Sequence, residues 1–254
     1  LAPGYTLGEA IDFLNAEAAK LPPNIISDLS GQSREFRTSS GGLYLTFLLA
    51  LVFIYAKPFL QDRDLFKGEF YALILFALLG MMLMVSAGGL VTLYLGLELL
   101  ALSAYGLVAL DRNNAVASEA AMKYFILGSM ASGLLLYGMS MIYGATGSLQ
   151  LDEIYAASAN GSGDTLLSLG VVFMLVGIAF KFGAAPFHMW VPDVYQGAPT
   201  AVTLFIGSAP KLAYFGMAYR LLESGVGPMD VEWRIMLAWL AAASLLVGNV
   251  FALA

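Results

Sequence analysis

Seven apolar runs, each close to the length of a membrane-spanning helix, dominate this chain. They cover residues 41–60, 70–88, 90–110, 120–143, 165–185, 199–222 and 233–254. A helix needs about 20 consecutive apolar residues to cross the hydrocarbon core of a bilayer. The runs do not alternate apolar and polar residues as membrane β-strands do, and lipid offers no partner for an unpaired backbone amide. The sequence therefore predicts an all-α membrane protein, a polytopic bundle of about seven transmembrane helices.

Composition excludes several other classes of protein. Hydrophobic residues make up 59% of the 254 residues and charged residues only 12%, whereas soluble domains contain roughly half and a quarter. Cysteine is absent and His188 is the only histidine, so the chain lacks the ligands for iron–sulfur, haem or ordinary zinc sites. A net charge of −6 offers no basic surface to nucleic acid. We expect this chain to bind no metal or cofactor itself.

The two ends of the chain differ from the rest. Residues 1–42 are polar, contain Pro22 and Pro23, and have no spanning run. We therefore separate a polar N-terminal segment, 1–42, from a transmembrane domain, 43–254. The last apolar run reaches Ala254 without a polar flank, which indicates a fragment of a longer protein.

Loop charges predict how the helices are oriented. Basic residues gather in loops on one side of the membrane: Lys57, Arg63, Lys67, Arg112 and Lys123. The loops 88–89 and 144–164 on the other side contain none, and Arg220 and Arg234 are the exceptions. The positive-inside rule therefore predicts that the 57–69 loop is cytoplasmic.

Three ionisable residues, Glu98, Lys181 and Lys211, lie inside the apolar runs. A charge at mid-bilayer costs about 2.5–3.5 kcal/mol on insertion scales, so an idle one is not expected to persist. A Glu98–Lys181 ion pair would keep the lysine protonated, and loss of that contact would favour the neutral amine and release a proton. That arrangement would be a proton switch. The alternative for Lys181 is that it extends from its helix end to the membrane interface.

Two further residues have two interpretations each. Lys123 is either an interfacial anchor or a buried relay group. His188 either relays protons, because imidazole titrates near neutral pH, or lies beside Trp190 in an interfacial aromatic belt. We expect Asp193 to cap or bound a short helix. Four small residues are interpreted as helix-packing surface: Gly128, Ser132, Gly133 and Gly138.

The stretch after Lys181, KFGAAPFHMWVPDVYQGAP, is apolar but repeatedly interrupted by glycine and proline. Proline removes a backbone donor and clashes with the preceding turn. Non-helical backbone at membrane depth persists only where protein or a water-filled cavity surrounds it, and a broken helix with a charge at the break is typical of ion-coupled transporters. We predict one discontinuous helix here, and a second weak point at Pro210, directly before Lys211.

Three long stretches carry a resemblance to a known family: YLGLELLALSAYGLVAL, SEAAMKYFILGSMASGLLLYGMSMIYGATGSL and GIAFKFGAAPFHMWVPDVYQGAPTAV. They closely resemble the subunit N family of bacterial NADH:quinone oxidoreductase (respiratory complex I). They are less closely similar to its plastid and mitochondrial counterparts and to the wider antiporter-like subunits. The resemblance runs through about 69–254 and extends weakly back to about 43.

The resemblance implies a fold and a set of site residues. Family members have fourteen helices with two inverted five-helix repeats, each containing a broken helix and a proton half-channel, and this chain would hold the first repeat. The resemblance aligns five residues with family positions: Glu98 in the fifth helix, Lys123 in the sixth, Lys181 at the break of the seventh, His188 in the segment after that break, and Lys211 in the eighth. Pro210 departs from the small polar residue usual there, and the second repeat would lie beyond Ala254.

The function that the resemblance implies is proton translocation by a membrane-arm subunit in the bacterial inner membrane. NADH, FMN, iron–sulfur clusters and quinone would act in other subunits, and the partners would be other membrane-arm subunits, lipid, protons and internal water. The alternatives are a cation/proton antiporter subunit, the membrane subunit of a membrane-bound hydrogenase, or a structural membrane subunit whose buried charges only fix helix packing.

Overall fold

A computed structural model of the chain describes residues 13, 14, 16, 17, 51–160 and 165–253. The first four of these are helical. The longer ranges contain the helices α1 Leu51–Gln61, α2 Gly68–Ser86, α3 Leu90–Val108, α4 Ala115–Thr146, α5 Leu151–Asn160, α6 Thr165–Phe182, α7 Trp190–Gly197, α8 Thr200–Gly207, α9 Ala209–Tyr219 and α10 Asp230–Leu253. The predicted domain boundary near residue 43 lies outside the described residues.

Six helical segments in the described ranges are long and apolar enough to cross a membrane. They are Gly68–Ser86, Leu90–Val108, Ala115–Thr146, Thr165–Phe182, Thr200–Gly225 and Gly227–Phe251. These segments confirm six of the seven predicted runs and the all-α fold class. Only part of the first run, 41–60, is described, and that part is the shorter apolar helix α1.

Both predicted interruptions are present. α6 ends at Phe182, Gly183 takes the left-handed conformation with φ +72°, and the chain turns before α7 begins at Trp190. The second interruption is at Ser208, between α8 and α9. Pro210 lies in the first turn of α9, where a helix has no use for the missing amide donor.

Glycines set how closely the long helices approach one another. A Cβ at Gly80 of α2 would lie 2.6 Å from the carbonyl oxygen of Gly96 on α3, and a Cβ at Gly138 of α4 would lie 2.7 Å from that of Gly170 on α6. Because glycine has no Cβ, the backbones of these membrane helices can touch at such positions. The packing interpretation is therefore confirmed for Gly138, whereas an added Cβ at Gly133 would meet nothing within 4 Å in the described part of the chain.

The segment 144–164, expected to be a loop, contains the helix α5. Asp152 and Glu153 occupy its first turn, where acidic side chains favour the positive end of the helix dipole. Leu151 and Ile154 are buried. Residues 151–160 of the expected loop are therefore helical, with Leu151 and Ile154, three residues apart, on the buried face.

Contacts between turns show which helix ends share a side of the bundle. On one side, Arg112 forms an ion pair with Glu69 at 2.9 Å. On the other, the guanidinium of Arg220 donates a hydrogen bond to the carbonyl oxygen of Ala87 at 2.9 Å. The fold therefore places successive loops on alternate sides of the bundle, as the prediction of orientation assumed.

Candidate functional site

Lys181 lies in the last turn of α6, and its side chain is buried. The residue is only 4% exposed, and its Nζ donates a hydrogen bond to the Oγ of Ser132 on α4, at 3.3 Å. A lysine that extended to the interface would keep its ammonium in water. The structure contradicts that alternative for Lys181, because the ammonium is enclosed between two helices.

Glu98 faces the same region from the middle of α3. Its carboxylate interacts electrostatically with Lys181, but the ion pairs of the described ranges do not include the two residues. The expected direct Glu98–Lys181 contact is therefore not what the structure shows. The Oε1 of Glu98 is buried and has no hydrogen-bond partner in those ranges. Burying a carboxylate oxygen without a hydrogen-bond partner is costly.

Lys211 closes the end of α6. From α9, its Nζ donates hydrogen bonds to the carbonyl oxygens of Lys181, at 3.1 Å, and Phe182, at 2.9 Å. The last carbonyls of a helix have no partner within it and carry partial negative charge. The structure thus brings the two predicted lysines together, through the side chain of one and the backbone of the other.

Trp190, the first residue of α7, fixes the chain after the break. Its side chain is buried, with 1% exposure, and stacks on the ring of Tyr124 of α4 at 4.7 Å between centroids. Its indole Nε1 donates a hydrogen bond to the carbonyl oxygen of Phe180, at 2.9 Å. The Nζ of Lys211 lies 5.2 Å from the indole centroid, within cation–π range. The assignment of Trp190 to an interfacial belt is therefore wrong.

His188 is half-buried in the turn between α6 and α7, on the side of α10. Its ring centroid lies 6.3 Å from that of Phe251. Its Nδ1 is buried without a hydrogen-bond partner among the residues that the structure describes. The hydrogen bonds that Lys211 donates go to the carbonyl oxygens of α6 and do not reach the imidazole of His188. A relay role for this imidazole stays a prediction.

Lys123 is a surface group in the structure. Its side chain is 43% exposed and pairs with Glu119, at 2.8 Å, and with Asp193, at 3.0 Å. The geometry favours the anchor interpretation over the buried relay. Asp193 is the fourth residue of α7, whose N-cap is Met189, so the expectation that it caps or bounds the helix is wrong. Its carboxylate instead ties α7 to α4 through Lys123.

Sequence reasoning missed three tyrosines and the role of Ser132. Tyr105 has a buried hydroxyl without a partner in the described part of the chain, while the side chains of Tyr124 and Tyr214 interact electrostatically. Helical spacing is the signal that could have found them: Tyr105 follows Glu98 by seven residues, and Tyr214 follows Lys211 by three. No group of three or more His, Cys, Asp or Glu residues that could hold a metal ion occurs in the described part.

Comparison with known proteins gives a consistent set of relatives. The family model described as NADH:quinone oxidoreductase/Mrp antiporter, TM, matches residues 87–254. NADH-quinone oxidoreductase subunit N of Thioalkalivibrio sulfidiphilus (strain HL-EbGR7) is 58% identical over 209 residues, which are 82% of this chain and 44% of the relative. The chain therefore spans less than half the length of this curated relative.

Two solved structures have a similar fold. A chain of respiratory complex I from Thermus thermophilus with bound aureothin is 41% identical, with a TM-score of 0.62, over 74% of this chain and 40% of that one. A chain of the Mrp complex from Dietzia sp. DQ12-45-1b is 26% identical, with a TM-score of 0.61, over 70% of this chain and 33% of that one. The stretch matched by the family model contains the five predicted site residues.

Proposed function

The chain belongs to the NADH:quinone oxidoreductase/Mrp antiporter family of membrane proteins, and from that premise we propose that it is the proton-conducting first half of a subunit N of NADH:quinone oxidoreductase. It is a multi-pass protein of the bacterial inner membrane. The 58% identity to a subunit N favours this assignment over the 26% identity to a chain of the Mrp complex.

The observation that carries the proposal is the buried ammonium of Lys181 beside a helix end that a second lysine closes. Ionisable groups kept within a membrane bundle and facing its interior mark ion or proton pathways. An interrupted helix next to them offers polar backbone along which water can enter. Lys181 and Lys211 are therefore suited to exchange a proton through water.

Glu98 sets the charge state of Lys181 in this mechanism. While Glu98 is ionised, its field favours the protonated lysine, and when the carboxylate is neutralised or moves away, desolvation favours the neutral amine. Lys181 then passes its proton towards Lys211. His188 would assist from the turn after α6, whereas Lys123, paired with Glu119 and Asp193 at the surface, would anchor α7 to α4.

Electron transfer from NADH to quinone takes place in neighbouring subunits in this proposal. Those subunits hold the FMN and the iron–sulfur clusters, and this chain contributes no redox centre. The complex works as a proton-translocating enzyme, and the energy of electron transfer reaches this subunit as a conformational or electrostatic signal. Other membrane-arm subunits are its partners.

Replacing Glu98 in the full-length subunit of the assembled complex tests the proposal. Glu98→Ala should slow both NADH-driven quinone reduction and proton uptake by inverted membrane vesicles, while the amount of assembled complex stays constant. Glu232→Ala is the control, because Glu232 lies exposed in the first turn of α10. Normal pumping by Glu98→Ala would remove Glu98 from the mechanism.

A cation/proton antiporter subunit is the second candidate, since the fold is shared with a chain of the Mrp complex. Vesicles that exchange a cation for protons without NADH, in a manner abolished by Lys181→Met, would favour it. A purely structural subunit is the third candidate, and it would give a different result. In that case Lys181→Met would lower assembly or thermal stability and leave proton transport per assembled complex unchanged.

A further inference from the structure

The turn after α6 begins by folding back onto the end of that helix. The amide of Gly183 donates a hydrogen bond to the carbonyl oxygen of Phe180, at 2.9 Å. The amide of Ala184 donates to the carbonyl oxygen of Ala179, also at 2.9 Å. With Gly183 in the left-handed conformation, these two bonds form a Schellman motif. The motif satisfies two of the four carbonyls at the end of α6, which a helix cannot satisfy by itself.

Lys211 satisfies the other two carbonyls and lies against the turn. Its Nζ donates to the carbonyl oxygens of Lys181 and Phe182. A Cβ at Gly183 would lie 4.0 Å from that Nζ and 3.9 Å from the Cζ2 of Trp190. The ammonium therefore sits between the end of α6, the turn and the indole of Trp190. The position of the turn thus helps to set the position of this charge.

The amide of Ala185 is the first donor beyond the Schellman motif, and a distant helix holds it. Its N–H donates to the Oγ of Ser244 on α10, at 2.9 Å. The Ser244 hydroxyl in turn donates to the carbonyl oxygen of Leu240, one helical turn earlier, at 2.7 Å, so its oxygen has a lone pair for the amide. The next residue, Pro186, has no amide hydrogen. The bond to Ser244 therefore fixes the chain at the point where the motif ends.

α10 makes this contact although it is little buried elsewhere. From Arg234 to Phe251, no residue of α10 is buried within the part of the chain that the structure describes. Trp239, for example, is 74% exposed. Between residues 235 and 248, Ser244 is also the only side chain with a hydroxyl, amide or charged group. Serine side chains on apolar membrane helices form hydrogen bonds across helices, and this one bonds to the turn beside Lys211.

We propose that Ser244 is a positioning residue for proton exchange between Lys181 and Lys211. By holding Ala185, it keeps the turn against the ammonium of Lys211, and so keeps Lys211 on the two carbonyls at the end of α6. Without Ser244 the Ala185 amide would lose its partner at membrane depth, which is costly, and the turn would shift to find another. This inference rests on the proposed function and makes α10 a part of its site.

Ser244→Ala in the full-length subunit of the assembled complex removes the acceptor and little else. Proton uptake driven by NADH should slow about fivefold per assembled complex, the scale of one hydrogen bond. Ser244→Thr keeps a hydroxyl and should stay close to the parent rate. Ser140→Ala is the matched control, because that hydroxyl donates to the Tyr137 carbonyl oxygen of its own helix, and it should leave uptake unchanged.

Amide hydrogen exchange reports on the turn directly, since a lost hydrogen bond makes local opening easier. In Ser244→Ala, a peptide covering residues 183–191 should exchange faster than in the parent complex, whereas Ser140→Ala should keep the parent rate. Slow proton uptake should accompany fast exchange in every variant of Ser244.

Four results would overturn the role of Ser244. The first two are parent-like proton uptake in Ser244→Ala and unchanged exchange of 183–191 in that variant. The third is a Ser244→Thr variant that protects the turn as the parent does and still takes up protons as slowly as Ser244→Ala. The fourth is a loss of uptake that only follows the amount of assembled complex, which would make Ser244 structural.

Glu98→Ala, measured in the same preparation, separates this inference from the proposed function. Slow uptake by Glu98→Ala together with parent-like uptake by Ser244→Ala rejects the role of Ser244 and leaves the proposed function standing. Parent-like uptake by Glu98→Ala rejects the proposed function itself.

Discussion

The side chain of Lys211 holds the backbone of Lys181: its Nζ lies 3.1 Å from the Lys181 carbonyl oxygen and 2.9 Å from that of Phe182. A cation at the carboxyl end of a helix contributes about 0.3–1 kcal/mol, and up to about 2 kcal/mol where it is partly buried. Loss of a proton from Lys211 would therefore weaken the end of α6, on which Lys181 is mounted. The charge state of one lysine and the geometry of the other are coupled.

Lys211→Arg and Lys211→Met should have different effects. Arginine keeps a cation at the helix end but does not release its proton, so thermal stability should be retained while proton uptake is lost. Methionine removes both the charge and the donors and should lower both quantities. Thermal unfolding of the purified complex and proton uptake by vesicles measure the difference. Proton uptake at the parent rate in Lys211→Arg would show that this residue does not carry protons.

Ser132→Ala should slow proton uptake severalfold, because it removes the hydroxyl that accepts a hydrogen bond from Lys181. Leaving a buried donor unsatisfied costs about 1–3 kcal/mol, more for a charged group, so the neutral amine becomes relatively favoured. Ser140→Ala is the matched control on the same helix, since its hydroxyl donates to the Tyr137 carbonyl oxygen on an exposed face. Equal rates for the two variants would contradict a role for Ser132.

Lys123→Ala should leave proton uptake close to the parent rate, because exposed ion pairs contribute little. Lys123→Arg should behave like the parent, since a guanidinium can pair with the carboxylates of Glu119 and Asp193. The double variant Lys123→Asp/Asp193→Lys, which exchanges the two charges, should also take up protons close to the parent rate. If Lys123→Ala slowed proton uptake as much as Lys181→Met does, Lys123 would instead be a relay group.

Gly183→Ala should destabilise the break by about 1–2 kcal/mol, the cost of the left-handed conformation for a residue with a Cβ. The added Cβ would also lie 2.6 Å from the Cγ2 of Val191, so α7 would have to shift. Gly133→Ala is the control, because a Cβ there meets nothing within 4 Å and alanine favours the helix. The thermal unfolding temperature should fall in Gly183→Ala. In Gly133→Ala it should rise, or fall much less.

Much of the fold was accessible from the sequence. The six spanning segments were predictable because the apolar composition of about twenty consecutive residues is a local property, and it suffices for a helix to span the hydrocarbon core. The interruption at Gly183 and the second one beside Pro210 were predictable for a similar reason, since glycine and proline act on their own turn of backbone. The helix α5 was missed because its short apolar face becomes favourable through tertiary contacts with α4, with the π-helical segment Arg220–Gly225 and with the 3₁₀ segment Gly227–Met229.

The candidate site, like the fold, was predictable from the sequence only in part. The sequence alone determined that Glu98, Lys181 and Lys211 are ionisable groups inside apolar helices, because that follows from their flanking residues. Only the tertiary structure decided that Lys181 contacts Ser132 rather than Glu98, that Trp190 is buried and that Lys123 is at the surface. These outcomes depend on how each helix is rotated and how closely it approaches its neighbours, which the packing of the whole bundle sets and no single segment encodes.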